Sequence, residues 1–225
     1  MDTRRAGEFA DIARQLHDEP DMGATLSGVV TLAAQTLEAD MCGVMLVHRG
    51  RRVETAAVTH DLVAQADRLQ CEFDEGPCLE AMHAHSTFII EDTSREVRWR
   101  RWCAAVRELG IRSVLSVRLH TAQETIGSIN AYGLGPRRFD LDDAAIGTIF
   151  AGHASIALSS AQTESGLRDA MDGRHVIGIA QGILMERFDL TPDQAFAVLR
   201  RYSQDRNTKL RAVAQHVVES RALPA

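Results

Sequence analysis

Five basic residues crowd one short stretch of the 225-residue chain: Arg200, Arg201, Arg206, Lys209 and Arg211. Cationic side chains at this density can neutralise phosphates. Ser203, Gln204 and Asn207, set among them, offer neutral donors and acceptors, and Tyr202 offers a ring on which an unpaired base can stack. Arg174, Gln181 and Arg187, on a predicted helix upstream, complete the candidates for contact with a nucleic acid. Taken singly, each has an ordinary alternative. A charged helix face can simply be solvated, and Tyr202 also falls on an apolar stripe. The cluster as a whole suits contact with phosphates and bases.

Two other sets of residues invite chemistry. The four cysteines, Cys42, Cys71, Cys78 and Cys103, include no C-x-x-C spacing, so neither a zinc ribbon nor a thioredoxin-like motif is indicated. Cys71 and Cys78 as a redox couple would need a thiolate of low pKa. The acids Glu72, Asp74, Glu75 and Glu80 nearby work against one. His83-Ala84-His85 would present both rings on one face only in a strand, and the segment reads as a helix end. No metal and no cofactor is expected.

The elements that position these residues follow from periodicity. Helices are predicted over 8–19 and 24–38, strands over 42–48 and 53–58 with Arg49-Gly50-Arg51 as the turn, and a helix over 61–69. A short strand at 88–90, a helix over 97–109 ending at Gly110, and a strand pair at 113–119 and 125–132 follow. A long helix begins near Asp140. The C-terminal section has no strand signal. One helix is predicted over 167–187. A second starts from a Thr191–Gln194 capping box with Pro192 at its first position, and a third follows Asn207 as N-cap. Strands mixed with helices, then helices alone, predict an α+β domain with a mainly antiparallel sheet, followed by an all-α module.

The bulk numbers agree with two units. The net charge is −6, yet residues 166–221 hold nine basic and seven acidic residues, leaving the remainder strongly acidic. No uninterrupted apolar run approaches the roughly 20 residues that span a bilayer. A cytoplasmic protein, with no membrane partner, is expected.

The segment from Gly173 through Arg187, with Gly178 and Gly182 inside a helix, followed by Asp193-Gln194-Ala195-Phe196, Leu199 to Gln204, Asn207 to Leu210 and Val213-Ala214, resembles the ANTAR family of RNA-binding transcription antiterminators. Gln181 departs from the family, where many members carry lysine. The resemblance implies binding of RNA hairpins in nascent transcripts, usually by a dimer. The runs Asp74 to Ala81, Arg98-Trp99, Gly110 to Ser116 and Ile126 to Tyr132 resemble a GAF domain of the type found beside ANTAR modules in actinobacteria. That implies a sensor or dimerisation module, and a fold more than a ligand. A small-molecule pocket, if present, would lie on one sheet face, with Met45, Phe73, Cys78, His83, Trp99, Trp102 and Asn130 as candidate lining. Ordinary core is the competing reading for most of them.

The expected organisation is therefore a GAF-like sensor at 1–160 and an ANTAR domain at 161–225. The helix over 140–169 has a near-heptad apolar pattern and is the expected homodimer seam. Two alternatives stay open: a methionine sulfoxide reductase-like redox enzyme, and a DNA-binding helix-turn-helix formed by the last two helices.

Overall fold

Two strands of alternating character, β4 (Ser113–His120) and β5 (Thr125–Gly133), form the centre of a five-stranded sheet. In the computed structural model, which describes residues 3–48 and 52–223, β1 (Met41–Val47), β2 (Val53–Val58) and β3 (Phe88–Ile90) complete it in the order β2-β1-β5-β4-β3. Every neighbouring pair is antiparallel. The expected turn at Arg49-Gly50-Arg51 lies outside the described residues.

Side chains alternate across a strand, so each strand feeds two cores. Cys42, Val44, Leu46, Leu115, Val117, Leu119, Ile129 and Ala131 form the first. They pack with α1 (Thr3–His17), α2 (Met22–Thr36) and the start of α6 (Leu141–Phe188), which contributes Phe150, Ala151, Ala154 and Leu158. The second face is covered by α3 (Asp61–Phe73), α4 (Pro77–Ala84) and α5 (Arg100–Glu108). There Met41, Val114 and Tyr132 meet Val63, Ala66, Trp102, Cys103 and Val106. The expected strands fall within about a residue of the observed ones, the ordinary uncertainty of element ends. The helix α4 was foreseen only as a helix end at His83.

Two glycines let backbone and helix approach closely. A Cβ on Gly127 would stand 1.9 Å from the Met45 carbonyl oxygen, and one on Gly43 would stand 2.5 Å from Val63 Cγ1. Gly43 is thus what allows α3 to settle on β1.

The chain divides into two compact units, 1–162 and 163–225. The second has its own small core: Ala180 and Leu184 from α6, Ala195 and Leu199 from α7 (Pro192–Asp205), and Val213, Ala214 and Val217 from α8 (Leu210–Ser220). Two expectations are corrected here. The helix predicted from Asp140 and the one predicted over 167–187 are a single helix of 48 residues, because Gly166, the one weak point, is no obstacle to helical hydrogen bonding. Asn207 is not the N-cap of the last helix. It takes a left-handed conformation, φ 48°, which asparagine tolerates, and Lys209 holds the N-cap position of α8 without a side-chain capping bond. The capping box at Thr191 and Gln194 forms as predicted. By length and composition alone α6, among the described helices, could cross a membrane, a test that the core helix of a soluble protein also passes.

Gly43→Ala should destabilise the first unit by about 1–3 kcal/mol, because Val63 must move or α3 must lift. A urea titration followed by tryptophan fluorescence checks this through Trp99 and Trp102; an unchanged midpoint would show that the close approach is slack.

Candidate functional site

On the second face of the sheet, polar residues replace the expected apolar ones. Ser128, Asn130 and Tyr132 recur at period two along β5, and Ser116 stands on β4 opposite Asn130. All four are fully buried. Above them α3 presents Asp67 and Gln70, also fully buried, one helical step from Val63 and Ala66. The sequence reading found Asn130 and Cys78 in this group but missed the rest.

The hydrogen bonds run inward from α3. The Tyr132 hydroxyl donates to Asp67 Oδ1 at 2.8 Å and the Thr55 hydroxyl donates to Oδ2 at 3.0 Å. Gln70 grips Cys78: its Nε2 donates to Sγ at 2.6 Å, and its Oε1 accepts from the Cys78 N–H at 2.9 Å. Cys78 Sγ also lies 3.4 Å from Ser116 Oγ and 3.7 Å from the Tyr132 hydroxyl. Three atoms are left over. Ser128 Oγ and both amide atoms of Asn130 have no partner although they are buried. Each unsatisfied group costs about 1–3 kcal/mol, so a core that retains several has a use for them.

Asp67 has no cation beside it. Burial pushes its carboxyl up to about 7, with the Tyr132 and Thr55 hydrogen bonds pulling the other way. Burial first, then the charge of Asp67, drives the Cys78 thiol well above the ordinary range. Cys42 and Cys103 are each raised to about 12, chiefly by burial. Cys71 is exposed, and its thiol is raised by partial burial and by Asp67, Asp74 and Glu72. None of the four is poised as a nucleophile, since nucleophilic attack needs the thiolate.

The remaining expected pocket residues scatter. Met45 is fully buried on β1, where it pairs with Ser128. Trp102 Nε1 donates to the Ala66 carbonyl and Trp99 Nε1 to Glu80 Oε2, both at 2.9 Å, so the two indoles are satisfied core members. Phe73 is half-buried beneath the Arg101 guanidinium, 4.6 Å from its ring centre. His83 is exposed on α4 and takes no part in the buried cluster. It lies in the last turn, where the side chain faces solvent. Among the described residues no group of three or more His, Cys, Asp or Glu is placed to hold a metal.

In the second unit the basic residues separate into anchored and uncommitted ones. Gln181 Nε2 donates to the Pro192 carbonyl at 3.2 Å and so ties α6 to the start of α7. Arg187 donates to the Arg221 carbonyl. Arg211 pairs with Asp169 at 3.4 Å, and Arg201 with Asp205 at 3.6 Å, both on the surface where such pairs are weak. The Ser203 hydroxyl donates to the Thr208 carbonyl at 2.7 Å and holds the α7–α8 turn. Arg174, Arg200, Gln204, Asn207 and Lys209 are exposed. Tyr202 is half-buried in an open cleft of about 730 Å³ with Val198, Arg201, Asp205, Arg206 and Leu223, and the Arg206 guanidinium lies 5.8 Å from its ring centre. One ring face therefore borders a cationic cleft.

Comparison with known proteins places both units. The model of the GAF domain matches residues 19–159, and that of the ANTAR domain matches residues 165–218. No curated protein matches the sequence significantly. Among solved structures, the GAF domain of an Acinetobacter phosphoenolpyruvate-protein phosphotransferase is 15% identical, covers 74% of this chain and 99% of its own, and superimposes with a TM-score of 0.57. The corresponding domain from Coxiella burnetii is 16% identical, with 72% and 96% covered and a TM-score of 0.57. Free methionine-R-sulfoxide reductase from Neisseria meningitidis, in complex with its substrate, is 18% identical, with 73% and 96% covered and a TM-score of 0.54. At these identities the likeness is one of fold.

The raised carboxyl of Asp67 has a definite pH signature. The native state keeps this proton between the ordinary aspartate value of 3.8 and about 7, whereas the unfolded state has lost it. Stability from this group is therefore fully present below 3.8 and is lost as pH rises towards 7, roughly 4 kcal/mol in all. The groups facing Asp67 are Tyr132, Thr55, Cys78, Cys42 and Cys71, and none carries a positive charge. Asp67→Asn should flatten the fall in urea-unfolding free energy across this window. A variant that declines with pH as steeply as the parent would show that Asp67 titrates normally.

Proposed function

The chain belongs to the GAF domain family, and from that premise we propose a signal-responsive, RNA-binding transcription antiterminator. In this reading the first unit senses a small molecule. The second unit holds RNA hairpins in nascent transcripts and so keeps a terminator from forming. The protein works in the cytoplasm as a homodimer of the actinobacterial GAF–ANTAR type, and it is a regulator without catalytic activity of its own.

The observation that carries the reading is the match of residues 165–218 to the ANTAR domain, set beside the exposed cations around the α7–α8 junction. Arg200, Arg201 and Lys209 stand on the surface, and Tyr202 borders the cleft with Arg206. Phosphate contacts supply the affinity and an aromatic face reads an unstacked base. Arg174 and Arg211 extend the contact surface. Gln181, Arg187 and Ser203 support it from behind through the hydrogen bonds they make inside the module. What supports a homodimer is the outer face of α6. Ile149 and Ile156 are seven residues apart, and Ile156 remains 70% exposed. Heptad spacing of exposed apolar residues suits a seam with a second copy.

A competition titration of the full chain tests this reading, with a labelled RNA hairpin challenged by unlabelled hairpin or by duplex DNA. Hairpin RNA should compete and duplex DNA should not; the reverse order would favour a helix-turn-helix regulator. Arg201→Ala with Lys209→Ala should weaken RNA binding by about tenfold or more and lower its dependence on salt. Unchanged affinity with an unchanged salt slope would remove these residues from the interface. In sedimentation velocity, Ile156→Lys should shift the chain towards monomer.

A further inference from the structure

Residues 95–112 differ in charge from the unit that contains them. They hold six arginines, Arg95, Arg98, Arg100, Arg101, Arg107 and Arg112, and two acids, Glu96 and Glu108. The other residues of 1–162 hold ten arginines and twenty-one acids. The fold gathers the positive charge on and beside α5. Trp102, Cys103 and Val106 turn one side of this helix into the core. Arg100, Arg101, Ala104 and Arg107 line the opposite side, and all four are exposed, as is Arg95 ahead of the helix.

Two of the six arginines are committed, Arg98 to Glu96 and Arg112 to Asp92. The other four make no ion pair among the described residues. The acids close by are engaged elsewhere. Glu75 Oε1 accepts from the Trp102 N–H and Glu80 Oε2 from Trp99 Nε1. Glu108, on the same helix, pairs with none of the arginines. Arg101 lies over the Phe73 ring, which steadies its guanidinium without neutralising it.

Helix electrostatics makes this placement costly. The first turn of α5 carries Arg100 and Arg101 and no acid, and Trp99 at the N-cap makes no side-chain capping bond. Positive charge therefore crowds the positive end of the helix dipole. Solvent screens this repulsion but does not remove it. Arg100 and Arg107 are seven residues apart, about 10 Å along the axis, with the small Ala104 between them. Charges elsewhere on the unit are largely screened beyond about 8 Å at physiological ionic strength, so the arginines themselves set the field over this strip. A row of anions fits a strip of this length better than one small anion does. Guanidinium groups match phosphate oxygens two at a time.

We propose that the outer face of α5 contacts the phosphate backbone of the RNA that the second unit binds. The inference rests on the RNA-binding reading of the second unit. It adds a contact on the first unit, whose acidic surface otherwise repels the same RNA. Titration of the full chain with a labelled RNA hairpin carrying single-stranded flanks tests it. Arg100→Gln with Arg107→Gln should weaken binding by about tenfold, and the slope of log affinity against log salt should fall by about 1.5. Arg14→Gln with Arg52→Gln changes the net charge equally, elsewhere on the first unit, and should bind like the parent. Ala104→p-benzoylphenylalanine leaves every arginine in place and should cross-link to the RNA under light, so a glutamine variant that fails to fold does not shield the proposal. Equal loss in both double variants, parent-like affinity and slope in the α5 variant, or no cross-link overturns it. Loss of poly-glutamate binding with RNA affinity retained would assign the face to an acidic protein and overturns it too. A parent chain that binds no RNA removes the reading of the second unit and this contact together; a parent that binds, with an unaffected α5 variant, removes this contact alone.

Discussion

A carboxyl with no positive charge beside it governs the sensor-like unit. Asp67 sits on the buried stripe of α3, one turn beyond Val63, whose side chain takes the space that Gly43 leaves on β1. Its two hydroxyl donors come from the strands on either side of β1, Thr55 on β2 and Tyr132 on β5. The helix is thereby pinned at two points. Gln70, one turn on, holds Cys78 and with it the start of α4. Burial first, and then the Asp67 carboxylate, pushes the Cys78 and Tyr132 acidities in the unreactive direction. A cysteine so placed works as a buried hydrogen-bonding group. The raised Cys71 and Cys78 thiols run against a redox couple, which needs a thiolate of low pKa.

The second unit works by other means. Its core is a handful of alanine, leucine and valine side chains from three helices, near the lower limit of what a lone domain can bury. Polar ties supplement it: the capping box of α7, the Gln181 bond to Pro192 and the Ser203 bond to Thr208. Several residues that read as nucleic-acid contacts in the sequence are therefore also structural. Gln181 is the clearest case. Its amide spans α6 and the start of α7, and the exposed positive charge is left to Arg174, Arg200, Arg201 and Lys209.

Much of the fold was legible. Period-two alternation located β4 and β5, and the Thr191–Gln194 box located the start of α7, because these signals are local. The unbroken α6 was not legible, since a glycine in a helix weakens a prediction more than it weakens the helix. Asn207 was misassigned because its side chain serves both an N-cap and a left-handed turn, and only the neighbouring chain decides between them. In the buried cluster, Asn130 and Cys78 were found from sequence while Asp67, Gln70, Ser116 and Ser128 were not. Signals for them existed: Ser128, Asn130 and Tyr132 at period two, and an acid within the Val63, Ala66, Gln70 stripe. They acquire meaning only when register brings β5 and α3 together. His83 shows the converse, a reactive side chain that chain order places near the cluster and helix geometry turns to solvent.

The most direct measurement is the protonation of Asp67 itself, read from the carbon-13 shift of its carboxyl across pH in the folded chain. The account requires a midpoint raised by burial to about 7. A midpoint at the ordinary aspartate value of 3.8 would contradict it, because the carboxyl would then be either solvated or paired with a cation.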